Sequence, residues 1–357
     1  MLPYYALVIL TFLLCLFDFV QQRYIRWFVF VGHGVLLVLF VGLRSLGVDN
    51  DGFSYQDAFN LAGGMSWTDL FTGNYPENME RGYLLVNKVI YSLGGNIHIV
   101  FMLMAVTTGL VNYTLIFRRS PYPFTSLLIY VCFFYFYRDF TQIRFALSAG
   151  IGLWAIFMFV DRKYIKFFLL VLLASTFHSA ALVVLLPALI YMVLRNQLVF
   201  LFLPLLGLIG GLFNPTMLLF QLGGLPPILA HYVEVDEIGK GGYVISIIAQ
   251  VFLIGMVVFR EKLSQHYSDR LLKILFISLS LSSFINLLFI SFAIMQRLSL
   301  LLFGTILFAA PYLCRTLEMN QREQFAALSL RFLFLVYVFY YGLKMISPDL
   351  MQPYSIW

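Results

Sequence analysis

Arg44, Asp49 and Asp51 put a guanidinium and two carboxylates within eight residues, directly after a long apolar run. A guanidinium suits phosphate, because its planar fork donates two parallel hydrogen bonds and stays charged at any relevant pH. Asp49-Asn50-Asp51 is a D-x-D triplet, a spacing that could hold a hard divalent cation through carboxylate oxygens. A three-residue match has low specificity. The same carboxylates could instead deprotonate a sugar hydroxyl, or accept hydrogen bonds from Arg44 and the loop backbone. Tyr55, Trp67, Tyr75 and Tyr83 follow. Their rings fit stacking on sugars, and equally an interfacial aromatic belt.

Four more arginines sit where an apolar run meets a loop: Arg81, Arg138, Arg144 and Arg297. Arg297 is the sole charge in 274–314 and falls near the middle of that stretch. A charge so placed marks a substrate path or snorkels to headgroups. Arg138 and Arg144 lie six apart and would point different ways on one continuous helix, so only a bend could aim both at one ligand. Between them, Asp139 could orient a neighbouring arginine or form a local salt bridge. His178 lies in the charge-free stretch 167–194, among small residues that allow close packing. With an imidazole it could act as a general base, or serve as a hydrogen-bonded core residue. His33, His98, His231 and His266 have less context and read as structural.

The elements that must position these groups are membrane helices. Hydrophobic residues make up 61% of the 357-residue chain and charged residues 11%, far from the balance of a water-soluble globule. The apolar residues come in runs of helix-spanning length, which predicts an all-α polytopic bundle rather than a barrel. About 12 spans are expected, at 4–20, 27–43, 97–117, 123–137, 145–160, 167–178, 179–194, 198–213, 243–259, 274–294, 298–314 and 332–346. Segment 82–93, too short to cross and carrying Asn87 and Lys88, reads as a re-entrant or interfacial helix. One integral-membrane domain over 1–357 is expected, with long loops at 44–81 and 214–242, the latter containing Pro226-Pro227 and Gly239, Gly241 and Gly242. The first apolar run lacks a basic leader and a small-residue cleavage site, so no cleaved signal is expected. Cys15, Cys132 and Cys314 are too far apart for a ligand motif or a disulfide framework.

Charge sets the expected orientation. Fifteen of the 23 basic residues and six of the 17 carboxylates fall in one set of loops, giving that side +9 and the other −3. The basic side faces the cytoplasm by the positive-inside rule, and the net charge of +6 reflects topology rather than nucleic-acid binding. All five junction arginines then fall on the outer face.

Gly42-Leu43-Arg44 with Asp49, Asp51 and Tyr55, then Glu80-Arg81-Gly82-Tyr83 before an Asn87 helix, form an ordered series. It continues with Gln142-Ile143-Arg144, Phe177-His178, the late Arg297 and Pro353-Tyr354. The series resembles the EpsG-type Wzy polysaccharide polymerases, in order along nearly the whole chain. The resemblance implies a GT-C-like bundle in the bacterial inner membrane whose active site faces the periplasm. It implies a metal-independent glycosyltransferase without cofactor, with undecaprenyl-pyrophosphate-linked oligosaccharide as both donor and acceptor. A flippase and a chain-length regulator are the protein partners it suggests.

On that reading the glycan leaves pyrophosphate, and negative charge grows on phosphate oxygens that arginines would stabilise. Arg44, Arg144 and Arg297 are the expected pyrophosphate ligands, with Arg81 and Arg138 as weaker members and Tyr55, Tyr83 and Gln142 as substrate contacts. The acceptor hydroxyl needs a base. His178 and Asp51 are the rival candidates, followed by Asp49 and Glu80. An O-antigen ligase-like transferase is the alternative within the same chemistry, weakly disfavoured by the modest outer loops. A flippase or exporter of lipid-linked sugars is the alternative of a different class. It should show paired halves with matching broken helices, a symmetry this sequence lacks.

Overall fold

The computed structural model describes all residues except 74, 76–78, 194–198, 225–232, 234–241, 320–323 and 349. Most of the 214–242 loop, including Pro226-Pro227, His231, Gly239 and Gly241, lies outside the described residues. The helices run α1 Leu2–Leu14, α2 Arg23–Gly42, α3 Gly52–Gly64, α4 Trp67–Thr72, α5 Arg81–Ser92, α6 Ile97–Arg119, α7 Pro123–Tyr130, α8 Ile143–Val160 and α9 Tyr164–Phe177. They continue as α10 Leu185–Val193, α11 Val199–Leu212, α12 Pro215–Gln221, α13 Val244–Val258, α14 Arg260–His266, α15 Asp269–Leu288, α16 Gln296–Phe303, α17 Ile306–Glu318 and α18 Gln324–Met345. Their starts follow local chemistry. Ser66, Asn96 and Ser268 cap α4, α6 and α15, each accepting from one of the first-turn backbone N–H groups that have no partner within the helix. Pro123 and Pro215 stand in first turns, where the missing N–H costs nothing.

Seven described segments are long and apolar enough to cross a membrane, or nine when the bent pairs α11–α12 and α13–α14 each count once. These match nine of the twelve expected spans. The other three, 123–137, 167–178 and 179–194, rest on shorter pieces. Segment 123–137 is α7 continued by a π-helix over Val131–Thr141. Segment 167–178 is the 14-residue α9, about 21 Å at 1.5 Å per residue, against a hydrocarbon core of roughly 30 Å. Segment 179–194 is a 3₁₀ turn followed by α10. The count of twelve rests on apolarity, and among the described residues seven to nine of these spans also have the length. The expected short helix at 82–93 is present as α5, which buries Tyr83, Leu84, Asn87 and Ile90 on one face.

The described residues pack as two compact units, 1–154 with 172–179 and 317–357, and 155–171 with 180–316. In the first, α2 and α6 approach through glycines: a Cβ on Gly109 would stand 2.4 Å from Val38 Cγ2, the small-residue seam by which membrane helices gain close contact. Asp18 accepts from the backbone N–H of Phe124 and Thr125 at 3.0 and 2.8 Å and from Arg331 at 2.9 Å. Arg331 also meets Glu318 at 3.4 Å, so the start of α7 is tied to α18 by a buried charge set. In the second unit α15 is the central helix. A Cβ on Gly207 of α11 would lie 2.5 Å from the Phe284 carbonyl. Asn286 and Ser282 bond across to Ser246 and Ser299, at 2.8 and 2.9 Å. Large apolar side chains remain outward on many helices, Leu172, Phe202 and Leu333 among them, as expected where lipid rather than water is the solvent.

Candidate active site

Four segments of the first unit meet around Glu80. This residue is the N-cap of α5, yet its carboxylate makes no cap bond to its own helix. One oxygen pairs with Arg144 Nη1 in the first turn of α8. The other accepts from the Ser179 backbone N–H at 3.1 Å and lies 3.9 Å from His178 Nδ1. The Arg144, Glu80 and His178 side chains are 15 to 19% exposed, open enough for a ligand to reach.

Local structure aims each group. His178 directly follows α9, its N–H still bonded to the Ala174 carbonyl at 3.0 Å. Its own carbonyl accepts from Ser148 Oγ at 3.2 Å, and its ring leans edge-on against Phe145 with centroids 5.2 Å apart. Arg144 follows the break at Gln142, where φ −105° and ψ 61° stop the π-helix. A cation at a helix N-terminus is disfavoured by the macrodipole, and the Glu80 carboxylate offsets this. The chain can pass so close only because residue 82 is glycine: a Cβ there would fall 2.7 Å from the Thr176 carbonyl oxygen.

Tyr55 of α3 hydrogen-bonds Arg144, and Tyr83 sits with its ring 5.7 Å from the guanidinium. The two rings meet edge-on at 5.6 Å. Burial pushes the Tyr55 hydroxyl up to about 12 even though Arg144 draws it down, so the group stays a neutral phenol. Burial raises Tyr83 as well. Both rings are buried. They pack on each other and on Arg144 instead of standing open as sugar platforms, because α3 folds down onto α5.

Arg44 and Asp49 form a second, sealed pair. Both side chains are 0% exposed, joined at 3.0 Å. Arg44 Nη1 donates to the Val41 carbonyl at 2.8 Å, and the guanidinium lies over the Phe101 ring at 4.2 Å. Of the readings open for Asp49, the hydrogen-bond partner of Arg44 is the one its geometry matches. Asp51 is the N-cap residue of α3, partly exposed. Among the described residues no three His, Cys, Asp or Glu side chains gather in metal-binding fashion.

The remaining candidates have separate surroundings. Arg138, in the π-helix, is 1% exposed, 3.7 Å from Asp139 and stacked at 4.7 Å over Phe134. Its three guanidinium nitrogens have no hydrogen-bond partner among the described residues. Gln142 is buried beside it, its N–H bonded to the Arg138 carbonyl at 2.8 Å. Arg81 is exposed and lies over Gly73. Arg297 belongs to the second unit, half-buried in the first turn of α16 next to Gln296, which donates to the Asn286 carbonyl at 3.4 Å. Sequence reading missed Ser148, Ser179 and Phe145, which hold His178 and Glu80. No spacing signal marks them, since they act through backbone groups and packing.

A model of the EpsG family matches residues 24–356. No curated protein and no solved structure matches the chain. The matched region runs from the second residue of α2 through α18 and takes in every member of the Glu80 cluster, and it supports a polysaccharide-polymerase role for a membrane-embedded chain. The chain belongs to the EpsG family.

Proposed function

We infer that the chain joins lipid-linked glycan repeat units on the periplasmic side of the bacterial inner membrane. The growing glycan would move from undecaprenyl pyrophosphate to a sugar hydroxyl of another undecaprenyl-pyrophosphate-linked unit. The observation that carries this reading is the Glu80 cluster: a partly open arginine and a histidine held against one carboxylate, beside a neutral phenol.

The roles follow from the charges that develop. The acceptor oxygen attacks the anomeric carbon and forms the new C–O bond. The bond from that carbon to the pyrophosphate oxygen breaks, and its electrons leave on the phosphate. Arg144, held in place by Tyr55, stabilises that charge. His178 takes the acceptor's proton at a ring nitrogen, and Glu80 orients the imidazole and steadies its positive form, as a carboxylate does in hydrolase triads. The 3.9 Å spacing would tighten when substrate closes the site. Arg44 then acts by shaping the loop, and Arg297 is kept as a candidate phosphate ligand.

The test is elongation by purified protein in liposomes containing undecaprenyl-pyrophosphate-linked repeat units, with no nucleotide, ion gradient or divalent cation. A ladder of longer products is expected. Intact substrate without elongation would sink the polymerase reading, and a strict need for a divalent cation would overturn the arginine assignment.

A further inference from the structure

The last four carbonyls of a helix have no partner within it, and in a membrane such groups cost several kcal/mol each if left bare. At the end of α2 all are taken, and mostly by the far end of the chain. Tyr354 donates its hydroxyl to the Phe40 carbonyl at 3.1 Å. Arg44 takes Val41. Trp357 donates its indole N–H to Gly42 and its backbone N–H to Leu43, both at 3.3 Å. The same segment pairs antiparallel with the loop that follows, Arg44 opposite Ile356 and Asp49 opposite Met351. Gln352 N–H donates to the Val48 carbonyl at 2.8 Å, and Ser45 N–H to the Ser355 carbonyl at 2.9 Å. Two ring stacks pin it: Tyr354 on Phe40 at 4.2 Å and Trp357 on His98 at 4.8 Å.

We propose that Met351–Trp357 is a positioning strap for the candidate active site, with Tyr354 and Trp357 as positioning residues. The path is short and each link is a contact. The strap caps α2 and so sets the turn from which Arg44 reaches Asp49. Asp49 lies against the start of α3, where a Cβ on Gly52 would stand 3.0 Å from its Oδ1. One turn later α3 delivers Tyr55 to Arg144, the partner of Glu80. No strap residue has to touch substrate for the arginine to be aimed.

The double variant Tyr354→Phe, Trp357→Phe tests this in the full chain. It keeps an aromatic ring at both stacks and removes only the two side-chain donors to α2. Amide hydrogen exchange is expected to rise about tenfold in 52–64, the scale of losing one to two hydrogen bonds, and to stay unchanged in α15 of the second unit. Only the kinetic arm rests on the polymerase reading: kcat per folded molecule should fall tenfold or more with KM within twofold. Unchanged exchange in 52–64 overturns the strap whatever reaction the protein performs. A lower melting temperature with normal kcat per folded molecule also overturns it, because a merely structural segment would behave that way. Raised exchange in a protein whose wild type does not elongate would sink the polymerase reading and leave the strap standing.

Discussion

Glu80→Gln separates the chemistry of the site from its stability. The glutamine keeps an acceptor for the Ser179 N–H, now bonded at 3.1 Å, and removes the charge that pairs Arg144 and faces His178 at 3.9 Å. Deeply buried pairs lose about 3–5 kcal/mol when one partner goes. Here both side chains retain nearly a fifth of their surface in solvent, so screening reduces the figure to about 1 kcal/mol. Catalysis should suffer more. A positioned base supplies roughly a hundredfold or more, and loss of its orienting carboxylate should lower kcat by about two decades, or about 2.7 kcal/mol of barrier. The assay is single-turnover elongation of lipid-linked repeat units in liposomes, with folded fraction read from a melting curve. Glu80→Asp, which keeps charge but shortens the reach, should fall between wild type and Gln. A Gln variant with wild-type kcat would refute the assignment of Glu80 and His178 to proton transfer.

Three other outcomes are expected. Gly82→Ala drives a methyl toward the Thr176 carbonyl at 2.7 Å and should separate α5 from α9, costing about 1–3 kcal/mol on the scale of overpacking; a melting temperature and kcat equal to wild type would show that the two helices yield freely. Arg297→Lys should reduce kcat/KM tenfold or more if the phosphate contact is bidentate, whereas near-normal elongation would reduce this residue to an interfacial anchor. Tyr55 titrates near 12, above the ordinary tyrosine value of 10. Its neutral form is the one the fold favours, so its contribution to stability is complete below pH 10 and is lost as pH rises toward 12. The ultraviolet difference between wild type and Tyr55→Phe should therefore show no phenolate below pH 10, and a phenolate signal there would contradict the buried setting.

The chemistry-bearing residues were legible in the sequence because membrane chains carry few of them. Arg144, Glu80 and His178 stand out against apolar surroundings, and the 82–93 helix announced itself by being too short to cross and by carrying Asn87 and Lys88. Their partnership was not legible. Glu80 lies 64 residues from Arg144 and 99 from Ser179, and no local rule links positions so far apart. Arg44 shows the limit from the other side. An arginine at the end of a span reads as an outward-facing ligand, yet its guanidinium is buried against Asp49 and the Phe101 ring, while its backbone pairs with Ile356 more than 300 positions later.

The amino-acid sequence by itself determined that this is a helical membrane chain. Apolar runs of spanning length have no soluble alternative, and the placement of basic residues predicts which side faces inward. It also determined the inventory of phosphate-binding and proton-accepting groups, since each charge in an apolar run is costly enough to be conspicuous. Only the tertiary structure decided which of those groups meet. Among the described residues the twelve apolar runs form seven long helices, two bent pairs and shorter pieces, because hydropathy alone does not set where a helix bends or stops. Arg144, Arg138 and Arg44, alike in sequence, acquired a half-open carboxylate partner, an aromatic enclosure and a sealed aspartate. The packing of helices around each guanidinium makes that distinction, and packing is a property of residues brought together from across the whole chain.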